Sequence, residues 1–82
     1  MSRTFGSPRH KALVTFIKKQ RKDARLTQAQ VAKRIHRYQS FVATFERGQK
    51  RIDAVELVEI AEAIGFDPKE AIRVIVKARK HA

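Results

Sequence analysis

Leu26-Thr27-Gln28-Ala29-Gln30-Val31-Ala32-Lys33-Arg34-Ile35, followed after His36-Arg37-Tyr38 by Gln39-Ser40-Phe41-Val42-Ala43-Thr44-Phe45-Glu46-Arg47-Gly48, decides how this chain reads. Thr27 to Gln30 spells a capping box: the hydroxyl accepts from one orphan backbone N–H while the glutamine side chain accepts from another. A short helix over about 28–35 follows, with Val31, Ala32 and Ile35 at i, i+1 and i+4. His36-Arg37 interrupts the apolar rhythm. It resumes at Tyr38, Val42 and Phe45, spaced i, i+4, i+7, which predicts a second short helix over about 39–47 closed by Gly48.

Working outward, Ser7-Pro8 offers an N-cap with proline at the first helical position, where its missing N–H is no loss. The helix it opens, about 8–24, sets Leu13, Phe16, Ile17 and Ala24 on one side and ends among Lys18, Lys19, Arg21 and Lys22. Asp53-Ala54-Val55-Glu56 and Asp67-Pro68-Lys69-Glu70 are acidic caps. The first opens a helix over 54–64 with Leu57, Val58, Ala61 and Ile64 inward, stopped by Gly65; the second opens a final helix over about 68–79 with Ala71, Ile72, Ile75 and Val76 as its stripe. Nothing reads as a sheet. The expectation is an all-α chain of five helices, with residues 1–7 as an N-terminal arm and 8–82 as a single domain.

Composition narrows the function classes. At 82 residues, 43% hydrophobic and 33% charged, the chain has the length of one domain with a modest core, small for a catalytic cleft of its own. No cysteine staples it or offers thiolate to a metal, and His10, His36 and His81 lack ligand spacing, so no metal site, cofactor or catalytic residue is expected. The lack of a signal-like apolar run or a membrane-length one makes a soluble cytoplasmic protein with no membrane partner the expectation. Nineteen Lys+Arg against eight Asp+Glu give a net +11, which predicts a polyanionic partner. That charge has a direction. Residues 53–68 hold five acids and no Lys or Arg, whereas the segments on either side are basic.

Two short helices joined by a tight turn suit a geometry in which one braces a phosphate backbone while the next enters the major groove of a duplex. With Val42 and Phe45 facing inward, Gln39, Ser40, Ala43, Thr44 and Arg47 share the opposite side of the second helix. Gln can pair bidentately with adenine, Ser and Thr can donate or accept at a base edge, and a small Ala43 permits close approach. The competing reading is a merely solvated polar face.

Residues 17–68 resemble the helix-turn-helix domain of the Cro/C1 phage-repressor (XRE) family. Leu26 to Ile35 is similar to its LTQxxLAxxL helix, Gln39 to Gly48 to its recognition helix ending in E-R-G, and Ile64-Gly65-Phe66-Asp67-Pro68 to the turn after its downstream helix. The resemblance implies a five-helix bundle of the lambda-repressor-like DNA-binding type. By position, it implies that Gln28 reaches a phosphate, that Gln39, Ser40 and Thr44 meet base edges with Arg37 and Tyr38 at the groove margin, and that Arg47, Gln49, Lys50 and Arg51 clamp the backbone. It also pairs Arg21 with Glu46 as a structural ion pair. Glu46 is the only acid between Asp23 and Asp53, which a structural partner explains.

The chain departs from the pattern at His36, where glycine is usual in the turn, and at Tyr38, where Ser, Thr or Pro is common. Phe41 either packs on the domain or touches a thymine methyl. Ile72, Ile75 and Val76 either form a dimer interface or pack on neighbouring helices. The acidic edge at Glu56, Glu59 and Glu62 serves a protein contact or solubility. The leading expectation is a sequence-specific double-stranded DNA-binding transcriptional regulator, a homodimer on a pseudo-palindromic operator, with RNA polymerase or another regulatory protein as a further partner, bacterial or phage-encoded and associated with the nucleoid. The alternatives are an antitoxin or anti-activator that binds mainly a protein and autoregulates through DNA, and a nonspecific nucleic-acid coat.

Overall fold

In the computed structural model, which describes residues 7–78, five helices follow one another: α1 (Pro8–Asp23), α2 (Gln28–Arg34), α3 (Gln39–Glu46), α4 (Ala54–Ile64) and α5 (Pro68–Lys77). No strand occurs among the described residues. The expected arm, apart from Ser7, and the last residues, including His81, lie outside them.

Four of the five helices begin where their caps predict. Ser7 accepts from the His10 N–H, and Asp67 from the Lys69 N–H. Both capping boxes are complete, Thr27 with Gln30 and Asp53 with Glu56. Only α3 starts without a side-chain cap, at Tyr38, where the resemblance leads one to expect Ser, Thr or Pro.

The helix ends are less legible. α1, α2 and α3 each close with a residue in the left-handed region, and its own N–H and that of the next residue bond back to the last turn. Arg25 (φ 60°), His36 (φ 58°) and Gly48 (φ 78°) hold these positions, and Gly65 (φ 102°) ends α4. The paired closures run from Arg25 and Leu26 to the Lys22 and Arg21 carbonyls, from His36 and Arg37 to Lys33 and Ala32, and from Gly48 and Gln49 to Phe45 and Thr44. His36 thus adopts the left-handed conformation at the position where the resemblance leads one to expect glycine, and Arg25 adopts it with no sequence signal.

Ile17, Val31, Val42, Phe45 and Ile60 are fully buried, joining α1 to α4 in one core. α1 lies along α5, α2 packs on α3, and α2 and α5 both reach α4. Phe16 meets Phe66 edge-on at 5.3 Å and Phe41 meets Phe45 at 5.6 Å, which ties the loop after α4 to α1 and fixes the inner face of α3. Arg34 donates to the Ala63 carbonyl at 2.7 Å, fastening α2 to the end of α4.

Three expectations need correction. Ala24 is exposed because α1 stops at Asp23, so it caps the helix instead of continuing its stripe. Tyr38, expected to begin the apolar rhythm of α3, is 86% exposed. In α4 Val58 faces out and Ile60 is buried, because a face defined by Leu57, Ala61 and Ile64 takes the residue three after Leu57, while the next residue lies about 100° away.

Candidate nucleic-acid interface

α3 presents the expected edge. Gln39 and Ser40 at its first turn are exposed, Ala43 and Thr44 one turn on are half-buried, and Arg47 beyond its end is exposed. The Thr44 hydroxyl donates to the Ser40 carbonyl at 2.6 Å, so its hydrogen is committed and its lone pairs face outward chemistry as acceptors.

A hydrogen-bonded string fixes this edge to the interior. Arg21 grips Glu46 with two bonds, Nε to Oε2 at 2.6 Å and Nη2 to Oε1 at 2.9 Å, while its Nη1 donates to the Leu26 carbonyl at 2.8 Å. Gln28 Nε2 donates to Glu46 Oε1 at 2.9 Å, and Gln39 Nε2 donates to Gln28 Oε1 at 3.1 Å. The string therefore runs from α1 through the last residue of α3 to the first residue of α2 and the first of α3. Gln28 is turned toward its own protein, with one amide hydrogen and one lone pair left over for a ligand.

Electrostatics explain why Glu46 is ionised although its side chain is only 2% exposed. Burial would raise its pKa, yet the hydrogen bonds from Arg21 and Gln28, with the charges of Arg21 and Lys18, hold it below the ordinary value of 4.5. The Glu46 bond raises Arg21 in turn.

The loop after α3 gathers the other cations. Arg47 Nε donates to Gln49 Oε1 at 3.1 Å, and Lys50 Nζ reaches the Arg51 carbonyl at 3.4 Å. Phe41 is half-buried against the core, with the Arg37 guanidinium 4.5 Å and the Lys50 ammonium 5.2 Å from its ring centre. Arg37 also pairs with Glu56 at 3.2 Å, which draws it onto α4. Buried His10 stands behind the loop. Burial depresses its pKa below 6.5, a hydrogen bond with the Gly48 backbone works against this, and Arg51 reinforces it.

The structure thus brings Gln28, Gln39, Ser40, Thr44 and Arg47 together around α3, with Gln49, Lys50 and Arg51 on the loop beside it. The contacts of Arg37 with Glu56 and with the Phe41 ring escaped the sequence reading. The α4 capping box located Glu56 but gave no sign of its second partner.

Ile75 packs against the core, while Ile72 (48% exposed) and Val76 (65%) face outward from α5. No group of three or more His, Cys, Asp or Glu among the described residues is placed to hold a metal ion. No helix among them is long and apolar enough to cross a membrane.

A helix-turn-helix domain family matches residues 12–73. An XRE-family like protein from Pseudomonas syringae pv. tomato superposes with a TM-score of 0.78 at 32% identity, covering 83% of each chain. The restriction-modification controller protein C.AhdI from Aeromonas hydrophila gives 0.71 at 24% identity, over 76% of this chain and 94% of that one. The clp gene regulator ClgR from C. glutamicum gives 0.75 at 19%, over 83% and 88%. No curated protein sequence matches the chain significantly. The fold and α3 define a DNA-binding helix-turn-helix protein. The chain belongs to the XRE family of transcription regulators.

Proposed function

We propose that the protein acts as a homodimer on a pseudo-palindromic DNA operator, with α3 reading base edges in the major groove. The observation that carries this reading is the α3 edge itself: Gln39 and Ser40 are exposed at its first turn, and the half-buried Arg21–Glu46–Gln28 string holds Gln39 from behind. A solvated face has no need of that support. Gln39 suits adenine, Ser40 either edge, and Thr44 a donor or, through its methyl, thymine. Arg37 and Tyr38 stand at the margin.

Gln28, Arg47, Gln49, Lys50 and Arg51 serve the phosphates, which position the domain without reading sequence. One such domain covers too few base pairs for selective binding, so two are required, with recognition helices about 34 Å apart. Ile72 and Val76 form the apolar centre of the dimer contact, and Ile75 supports it from the core side.

Selection of bound fragments from a random duplex pool, followed by footprinting, tests this directly. The expected product is a two-fold symmetric site with half-sites one helical turn apart. Replacing Gln39 and Thr44 together should abolish the preference and leave salt-dependent nonspecific affinity; a double variant that still prefers the selected site refutes the assignment. Ile72→Asp with Val76→Asp should yield a monomer by sedimentation.

A further inference from the structure

Arg37 follows the left-handed turn at His36, and its position is set by three neighbours on different elements. Its Nη2 lies 3.2 Å from Glu56 Oε2, and its guanidinium lies 4.5 Å from the Phe41 ring centre, where Lys50 also arrives at 5.2 Å. Those two ring distances put the cations no more than about 10 Å apart, comparable with the ~10 Å screening length at 0.1 M salt. Two like charges are thus gathered around one aromatic ring. Among the described residues, Glu56 is the acid bonded to either of them.

We propose that Arg37 is a phosphate ligand held in reserve by Glu56. In the free protein the carboxylate holds the guanidinium; when duplex DNA docks, the guanidinium exchanges Glu56 for a backbone phosphate, and Lys50 supplies the second cation. The inference rests on the DNA-binding reading and moves Arg37 from the groove margin to the backbone.

Three observations support the exchange. The Arg37 side chain is 40% exposed against 13% for Glu56 and makes a single 3.2 Å contact, so the open guanidinium can trade that one contact for a phosphate that accepts two parallel bonds. Phe41 keeps the guanidinium in place whichever anion it faces. Glu56 gives up nothing structural, because its Oε1 accepts from the Asp53 N–H at 3.0 Å and its charge still suits the start of α4.

Glu56→Gln removes the charge and keeps the cap, since Gln30 fills the same place in α2. Glu59→Gln, on the exposed side of α4, makes the same change in net charge without touching Arg37. Titration of a labelled random-sequence duplex by anisotropy across a salt series then compares wild type, both single variants, Arg37→Ala and Arg37→Ala combined with either, all checked for helicity. Glu56→Gln should bind about two- to five-fold tighter than Glu59→Gln. That advantage should vanish in the Arg37→Ala background, and Arg37→Ala alone should lower the salt slope by about one. An advantage that survives without Arg37, or a slope unchanged in Arg37→Ala, overturns the inference while DNA binding stands. A wild-type protein with no salt-dependent affinity for any duplex overturns both.

Discussion

Two arginine–glutamate pairs flank α3, and they are built for opposite purposes. Arg21–Glu46 is enclosed, with side chains 11% and 2% exposed, doubly bonded and completed by Gln28 and the Leu26 carbonyl. Arg37–Glu56 is half open, with one contact and an aromatic ring beneath it. A buried, fully satisfied pair loses heavily when one member is removed, whereas an exposed pair contributes roughly 0–1 kcal/mol. The first pins α3 to α1 and α2. The second leaves a cation exchangeable at the edge of the binding surface.

The contrast breaks first at the inner pair. Glu46→Ala or Arg21→Ala should each cost about 3–5 kcal/mol in urea unfolding, because the partner is left as an uncompensated buried charge. A loss below about 1 kcal/mol would place the inner pair in the same class as the outer one.

Acid should weaken the same region in two stages. Both His10 and Glu46 have folded pKa values below their ordinary ones, so the unfolded chain binds protons first and stability falls as pH falls. The His10 contribution is whole above 6.5 and is lost as pH drops through its depressed folded value; the Glu46 contribution is whole above 4.5 and is lost at more acid pH still. In thermal unfolding followed against pH, His10→Phe should remove the upper stage, and Glu46→Gln the lower one at some cost in stability.

A left-handed non-glycine residue stands beside each pair, Arg25 before Leu26 and His36 before Arg37. Arg25→Gly and His36→Gly should each stabilise by roughly 1 kcal/mol through relief of backbone strain. Gly48→Ala should cost a similar roughly 1 kcal/mol from backbone alone, since nothing lies within 4 Å of an added Cβ. The smallest effect belongs to the outer pair: Arg37→Ala should change stability by less than about 1 kcal/mol and register mainly in the salt dependence of binding.

Much of the fold was legible because its signals are local. A cap and the donor it satisfies lie within three residues, so Ser7, Thr27, Asp53 and Asp67 announced four helix starts, and the apolar rhythm supplied α3. Arg25 carried no such mark, because a long cationic side chain says nothing of positive φ. The sequence does not separate Val58 from Ile60, because both neighbour the stripe and only the packed angle of α4 distinguishes them. The α3 edge was readable from helical spacing, and Arg21–Glu46 through family resemblance. Arg37–Glu56 was not, since it links residues 19 apart from separate elements.

The sequence by itself determined five helices, their order and starts, and a basic chain with a polar α3 edge, because capping, periodicity and charge act over a turn or two. Only the tertiary structure decided that Gln28 turns inward to brace Gln39, that Arg37 rests on Phe41 and Glu56, and that Ile72 and Val76 stay uncovered. Those outcomes depend on how rigid helices meet, and the angle between two helices is set by the whole core rather than by any short stretch of chain.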